Sequence, residues 1–471
     1  MVGPSVSSSI TARLHVAARP TAVSELTTAI EQAGGIVTAL DVTASGHEQM
    51  QVDVTCATLG EEHAQQIVAA LGALAGVAVD RVSDRTFLLH LGGKLEITSK
   101  VPLRNRDDLS MAYTPGVARV CEAIAARPED ARRLTIKRNT IAVVTDGTAV
   151  LGLGDIGPLA ALPVMEGKAV LFKRFADIDA FPIALDTTDV DQIVEAVCAI
   201  APVFAGINLE DISAPRCFEV ERRLRERLDI PVFHDDQHGT AIVVVAALTN
   251  ALQVVGKRIE DVRIVLSGAG AAGTAVLKLL LAAGADDVVV ADVDGVVHPD
   301  RPGLTPQLRW TAAATNPRGV SGTIGDALVG ADVFIGVSAP DVITGYEVSR
   351  MAGDAIVFAL ANPRPEVDPD DAAQYAAVVG TGRSDFANQI NNVLAFPGVF
   401  RGLLDARSHT VTTGLLLAAA RALAGVVTPE ELNPAYIVPS VFHPEVTTRV
   451  AAAVERAARA GSPDAGDDVG L

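Results

Sequence analysis

Val262-Arg263-Ile264-Val265-Leu266-Ser267 runs directly into Gly268-Ala269-Gly270-Ala271-Ala272-Gly273, and residues 274–283 continue with helical spacing. A β-rich run, a G-x-G-x-x-G loop and a helix in that order open a dinucleotide-binding βαβ unit. A second strand, residues 288–291, ends at Asp292, about 20 residues beyond the last glycine, where such folds place an acid on the ribose. The glycines let backbone approach a pyrophosphate, and the helix N-terminus supplies N–H groups for it. Gly268, Gly270, Ala271, Ala272, Gly273 and Asp292 are therefore the expected cofactor-binding residues. A glycine-rich turn in an ordinary α/β domain carries the same pattern; the flanking strands, helix and acid separate the two readings. Asp292 suits a ribose 2′-OH and repels a 2′-phosphate, and Val293-Asp294-Gly295-Val296-Val297 brings no Lys or Arg to reverse that. NAD is expected ahead of NADP.

The rest of the chain frames this unit. With 471 residues, 49% of them hydrophobic, it has material for two or three domains with real cores. Its 38 basic and 57 acidic side chains leave a net charge of −19, which repels nucleic acid and anionic membrane surfaces. Cys56, Cys121, Cys198 and Cys217 lie far apart without a C-x-x-C pair, so buried free thiols in a reducing cytoplasm are expected. Residues 1–20 lack the apolar core of a signal peptide, so none is expected there. The longest uncharged apolar stretch, residues 239–256, is interrupted by Thr240, Thr249, Asn250 and Gln253 and reads as a buried helix, without a membrane span.

The first ninety residues alternate differently. Strand-like runs at 10–18, 36–42, 49–56 and 77–82 and helical runs at 23–33 and 61–74 make βαββαβ, a ferredoxin-like arrangement. It resembles an ACT domain in topology, which implies sensing of a small-molecule effector or a dimerising role. The family's glycine at the first strand-to-helix turn is absent, because the stretch reads Ala18-Arg19-Pro20-Thr21-Ala22-Val23. After Leu91-Gly92-Gly93-Lys94, strands and helices alternate as in parallel α/β sheets. The expected division is 1–90 ACT-like, 91–255 substrate and metal domain, 256–425 Rossmann-type NAD domain, and 426–471 a helical segment whose tail from 461 is disordered.

Acidic pairs mark a second site. A strand at 204–209 ends in Glu210-Asp211, a helix spans 216–228, and a strand at 230–233 ends in His234-Asp235-Asp236. Parallel strands would deliver both pairs to one sheet edge, where converging carboxylates repel unless a cation holds them. Oxygen donors suit Mg²⁺ or Mn²⁺; two solvated acidic loops would look the same by spacing. His234 and His238 hint at zinc, though histidines beside acidic loops more often cap or support. Lys168 lies in residues 163–172, apolar enough to be a buried strand, where desolvation would lower its pKa toward that of a base; an edge-strand lysine reaching water is the alternative. Tyr113 precedes the Pro115-Gly116 turn, and Asn362, Asn391 and Asn392 follow apparent strand ends, where they could bond a substrate, bond the nicotinamide or simply form turns.

Taken together, SMAYTPGVA, TDGTAVLGLGDIG, EGKAVLFKRFA, NLEDI, IPVFHDDQHGTA, GAGAAG, ANPRPE and NNVLAFPGVFRG resemble malic enzyme in its shorter bacterial form, over residues 92–455. The resemblance implies oxidative decarboxylation of L-malate with NAD or NADP and a divalent metal, in a homo-oligomer. It implies Glu210, Asp211 and Asp236 as metal ligands and Lys168 as general base supported by Asp235. Tyr113 would be the acid toward the enol, with Asn362, Asn392 and the neighbouring Asn391 on substrate. Larger relatives carry an arginine where this chain has Ala149, so Arg119, Lys173 and Arg383 stand as candidates for the malate carboxylates, Arg119 first. A malolactic-type enzyme and a silent dinucleotide-binding regulatory subunit are the alternatives.

Overall fold

The computed structural model describes residues 4–150 and 152–461, so the tail beyond 461 lies outside the described residues. The chain divides into two units, Met1–Glu96 and Ile97–Leu471.

In the first unit, strands β1 (Ser5–Ala17), β2 (Ile36–Ser45), β3 (Gln49–Thr58) and β4 (Val77–Asp84) form an antiparallel sheet in the order β2-β3-β1-β4. Ile10, Ala12, Leu14 and Val16 are buried at every second position of β1, and Ala22, Leu26 and Ile30 at every fourth of the first helix. These two periods make one core between sheet and helices, as the βαββαβ reading expects. Strand β1 begins before its apolar run because backbone pairing with β3 extends over Ser5 and Ser9.

The second unit holds two parallel sheets. Strands β5 (Thr140–Thr145), β6 (Asp179–Ala184), β7 (Gly206–Leu209) and β8 (Val232–His234) are ordered β6-β5-β7-β8. Strands β9 (Arg263–Ser267), β10 (Asp287–Asp292), β11 (Gly295–Val296), β12 (Val333–Gly336), β13 (Ala355–Ala359) and β14 (Ala376–Thr381) are ordered β11-β10-β9-β12-β13-β14, parallel except for β11. Five of those strands end in register at Ser267, Ala291, Gly336, Ala359 and Thr381, so the loops that follow share one edge. The helix Asp235–Val255 leaves β8 buried along most of its length. It is the one helix among the described residues long and apolar enough to cross a membrane, and the core claims it instead. Phe172, Phe233, Phe396 and Phe400 stack with ring centroids 4.7–5.6 Å apart, tying the smaller parallel sheet to the helix Phe396–Ala406.

Two expectations are corrected. Lys168 does not lie on a strand: it belongs to the helix Gly157–Ala176, which buries Ala161, Met165, Lys168, Ala169, Phe172 and Ala176 at helical spacing. Pro163 and the run of apolar residues after it hid that period inside too short a window. The four cysteines are free, but Cys121 is exposed and Cys198 only partly covered, so burial holds for Cys56 and Cys217 alone.

Candidate active site

Register assembles the acidic residues. Val144 of β5 pairs with Leu209 of β7, and Leu209 pairs with His234 of β8. The residues that follow these strands, Asp146, Glu210-Asp211 and Asp235-Asp236, therefore leave the sheet at one edge, the C-terminal one. Ligand oxygens of Glu210, Asp211 and Asp236 lie within 4.8 Å of one another. Asp211 adopts a left-handed φ of 53°, which Asp tolerates, and its N–H donates to Asp236 Oδ2 at 2.9 Å. Ala149 N donates to the Asp211 carbonyl at 3.0 Å and so pins the loop after β5 onto the cluster.

Lys168 enters from its helix, 7% exposed. Its Nζ lies 2.6 Å from Asp235 Oδ2 and 2.9 Å from Glu210 Oε1, and 4.3 Å from the centroid of the Phe396 ring. Burial works against its charge, but Asp235 and Glu210 outweigh burial and hold the ammonium above the usual lysine range. The expected lowering by desolvation is thus reversed in this arrangement. The carboxyl groups answer in the opposite sense. Burial, with repulsion from Asp236 and then Glu210, pushes Asp211 up to about 9. Burial lifts Glu210 to about 7 and Asp235 and Asp236 to about 6, with Lys168 pulling each back.

This donor set fits a hard divalent cation. Asp211 Oδ2 and Asp235 Oδ1 are buried with no hydrogen-bond partner among the described residues, and burial, more than the neighbouring charges, is what favours their protonation. Among the described residues the ligand atoms that converge are oxygens of Glu210, Asp211 and Asp236, with His234 Nδ1 further off at 3.8 Å from Asp236 Oδ2, so Mg²⁺ or Mn²⁺ suits the set better than zinc. His238 turns away, with Nε2 2.8 Å from Glu221 Oε1. The buried Glu221 also accepts from Arg225 at 2.7 Å, from Gln237 at 3.2 Å and from the His234 N–H at 3.2 Å. It braces the turn that carries Asp235 and Asp236, a support that spacing did not reveal.

Other predicted residues gather unevenly. A Cβ on Gly239 would stand 1.9 Å from Asp235 Oδ1 and 3.2 Å from the Asn392 Cβ, so this glycine lets Asp235 and Asn392 meet over the first helical turn. Asn391 caps the turn Asn392–Leu394 by accepting from Val393 N. The Asn362 carbonyl packs against Gly152, bringing the two sheets' loops together. Glu366 anchors that loop by accepting from Ala361 N and Ser338 N at 3.0 and 2.8 Å. Tyr113 is 68% exposed and, among the described residues, makes no hydrogen bond with Lys168 or the carboxylates. Arg119 is also exposed; Lys173 is spent on Asp177 and Asp179, and Arg383 on Asp385.

The dinucleotide loop is backbone chemistry. Gly268 has φ +107°, and a Cβ on Gly273 would fall 1.8 Å from the Gly268 carbonyl, so strand end and helix start can touch. Gly270 caps the helix Ala271–Ala282, which starts three residues earlier than its apolar period. Asp292 ends β10 as expected, but Arg301 has come back onto it.

Known proteins agree with this geometry. Residues 92–225 match the malic enzyme N-terminal domain and 237–459 the malic enzyme NAD binding domain. An NAD-dependent malic enzyme of Geobacillus stearothermophilus is 56% identical over 95% of this chain and 94% of its own. A bifunctional malic/malolactic enzyme of Bacillus subtilis is 54% identical over 80% of this chain and 93% of its own. The crystal structure of an NAD-dependent malic enzyme from Thermotoga maritima superposes with a TM-score of 0.76 at 47% identity, over 79% of this chain and 99% of that one. A lysine between carboxylates at one sheet edge, a glycine loop at another, and these matches across both sheets lead to one assignment: the chain belongs to the malic enzyme family.

Proposed function

We propose that the protein oxidatively decarboxylates L-malate to pyruvate and CO₂, reducing NAD, with Mg²⁺ or Mn²⁺ held by Glu210, Asp211 and Asp236. The observation that carries this is Lys168 within 2.9 Å of both Asp235 and Glu210 beside three converging carboxylates. When bound, the cation would supply Lewis-acid polarisation of the C2 oxygen, and NAD would supply the acceptor for the C2 hydride. Lys168 takes the C2 hydroxyl proton. For that it must first be unprotonated, and Asp235, 2.6 Å away, is the group to receive its proton. The carboxylate field that holds the ammonium weakens once Glu210 shares its charge with a cation. The bond from C3 to its carboxylate then breaks, CO₂ leaves, its electron pair settles as the C2 enolate, and Tyr113 delivers a proton to C3. General acid and base each contribute about 10²–10⁴-fold. Asn362 and Asn392 orient malate, with Asn391 fixing their loop, and Arg119 meets its carboxylates.

The exposed Tyr113 needs company to act, and a second copy of the chain is the partner this reading supplies. Ile97 (86% exposed), Leu103, Met111 and Ile136 offer apolar side chains to solvent along the same segment, as a subunit contact would. The N-terminal unit serves as an ACT-like effector or dimerisation module, and free cysteines suit a cytoplasmic enzyme.

The relative described as bifunctional malic/malolactic favours one second reading, release of lactate with the cofactor retained. Purified protein with malate, NAD and Mn²⁺ separates the two. Steady nicotinamide reduction matched by pyruvate supports the proposal, whereas lactate without net reduction supports the malolactic reading. NAD binding with no product under either cofactor and either metal would leave only a regulatory subunit.

A further inference from the structure

The loop after β5 meets the loop after β7 at one buried hydroxyl. Thr148 Oγ1 donates to Asp146 Oδ1 at 2.6 Å, and it accepts from Ser213 N at 3.0 Å and from Arg216 Nη2 at 3.0 Å. A hydroxyl has one proton to give and two lone pairs, so every bond it can make is made. The Asp146 side chain behind it is fully covered; its Oδ1 also accepts from the Thr148 N–H at 3.1 Å, and its Oδ2 from Arg216 Nη2 at 3.1 Å. Arg216 opens the helix Arg216–Arg227 and is 31% exposed. Among the described residues none of the three makes a hydrogen bond or ion pair with the carboxylates of Glu210, Asp211 or Asp236.

Asp211 lies between two of these fastenings. Its carbonyl accepts from Ala149 N, and two residues further on Ser213 N is held by Thr148. Its own N–H is taken by Asp236 Oδ2. The left-handed φ of 53° is a conformation that an aspartate adopts at a cost, so the turn persists because its surroundings impose it. Release of the turn would swing the Asp211 carboxylate away from Glu210 and Asp236.

We propose that Thr148 is a positioning residue for the cation: backed by Asp146 and Arg216, its hydroxyl holds residues 211–213 in the turn that delivers Asp211 to the metal site. This rests on the reading of Glu210, Asp211 and Asp236 as metal ligands, and adds a residue that reaches the ion only through Asp211. Volume alone does not give this role, because valine has nearly the same shape and no hydroxyl. Valine there would leave the buried Asp146 and the Ser213 N–H each short of a partner beneath the ligand loop.

The test compares Thr148→Val, Thr148→Ser, Asp211→Asn and the double variant of Thr148→Val with Asp211→Asn, all in the full chain. Mn²⁺ affinity is read by electron paramagnetic resonance of the free ion and NADH affinity by its fluorescence, so neither needs turnover. Thr148→Val should weaken Mn²⁺ on the order of 10–100-fold and leave NADH within about twofold. Thr148→Ser keeps the hydroxyl and should stay within about threefold of wild type, a rescue that a purely space-filling role would not give. With Asp211 already replaced, Thr148→Val should cost less than about threefold more, because the group it positions is gone. If Thr148→Val does not fold, Arg216→Gln removes one arm from the part-exposed side and should weaken Mn²⁺ by about 3–10-fold with NADH unchanged. Mn²⁺ affinity within about twofold of wild type in whichever of these two variants folds overturns the proposal, as do Thr148 and Asp211 losses that multiply in full. If Asp211→Asn itself leaves Mn²⁺ affinity unchanged, the ligand reading beneath fails first and this proposal falls with it.

Discussion

The end of β7 and β8 and the end of β9 occupy the same place in two parallel sheets, yet they are built from opposite materials. At the first, the ionisable side chains Glu210, Asp211, Asp235 and Lys168 are buried together, with Asp236 one-third exposed beside them. At the second, Gly268 to Gly273 present backbone, and the nearby Asp292 is neutralised by Arg301. A site of stored charge pays in desolvation and is poised to bind a cation and move protons. A site of backbone donors needs only room and orientation, and binds a pyrophosphate without changing its own protonation. Variants should therefore fail differently at the two edges: chemistry at one, affinity at the other.

The largest break is Lys168→Ala. It should lower kcat by about 10²–10⁴-fold, the worth of a positioned general base, while NADH affinity by fluorescence titration stays nearly unchanged. An unchanged kcat removes Lys168 from the base role. Next comes Asp211→Asn, which should weaken Mn²⁺ binding on the order of 100-fold by calorimetry. It should also raise metal-free thermal stability above pH 7, because the variant no longer forces a carboxylate into that pocket. On the other side, Gly273→Ala should weaken NADH by about 10–100-fold through displacement of the helix start, with metal affinity retained. If Gly273→Ala and Lys168→Ala lose NADH equally, the contrast between the edges is false. The smallest effect falls on Glu221→Gln. Losing its charge should loosen the turn of Asp235 and Asp236 and cost about tenfold in Mn²⁺ affinity, with NADH unaffected.

The backbone edge was the more legible. Val262 to Gly273 carries strand, turn and helix in one continuous segment, and only the position of the helix start moved. The acidic edge was legible in part, because Glu210-Asp211 and Asp235-Asp236 each follow a strand and β7–helix–β8 makes those strands parallel. What sequence did not show is long-range. Phe396 under the Lys168 ammonium, Glu221 behind His234 and Arg301 over Asp292 each join residues far apart in the chain or across a loop reversal. The Lys168 misreading has a local cause: the mostly apolar ten-residue run 163–172 fits a strand, and only the full twenty of Gly157–Ala176 reveal the helical period. Its consequence is electrostatic, since a buried lysine's pKa depends on which carboxylates the fold brings to it.

The central claim is that the buried carboxylates form a cation site held in waiting by protons. Their folded-state pKa values lie above those of an unfolded chain, from about 6 for Asp235 and Asp236 to about 9 for Asp211. The stability they contribute is therefore present below about pH 4 and is lost as pH rises through that range. A divalent cation takes the protons' place, so binding releases protons and strengthens with pH. The most direct measurement is Mn²⁺ calorimetry at pH 7 in buffers of different ionisation enthalpy, which counts protons released per ion. The account predicts about one proton or more per Mn²⁺ bound, reduced in Asp211→Asn, with affinity rising from pH 6 to pH 9. Tight Mn²⁺ binding with no proton release and no pH dependence, or binding untouched by Asp211→Asn, would contradict it.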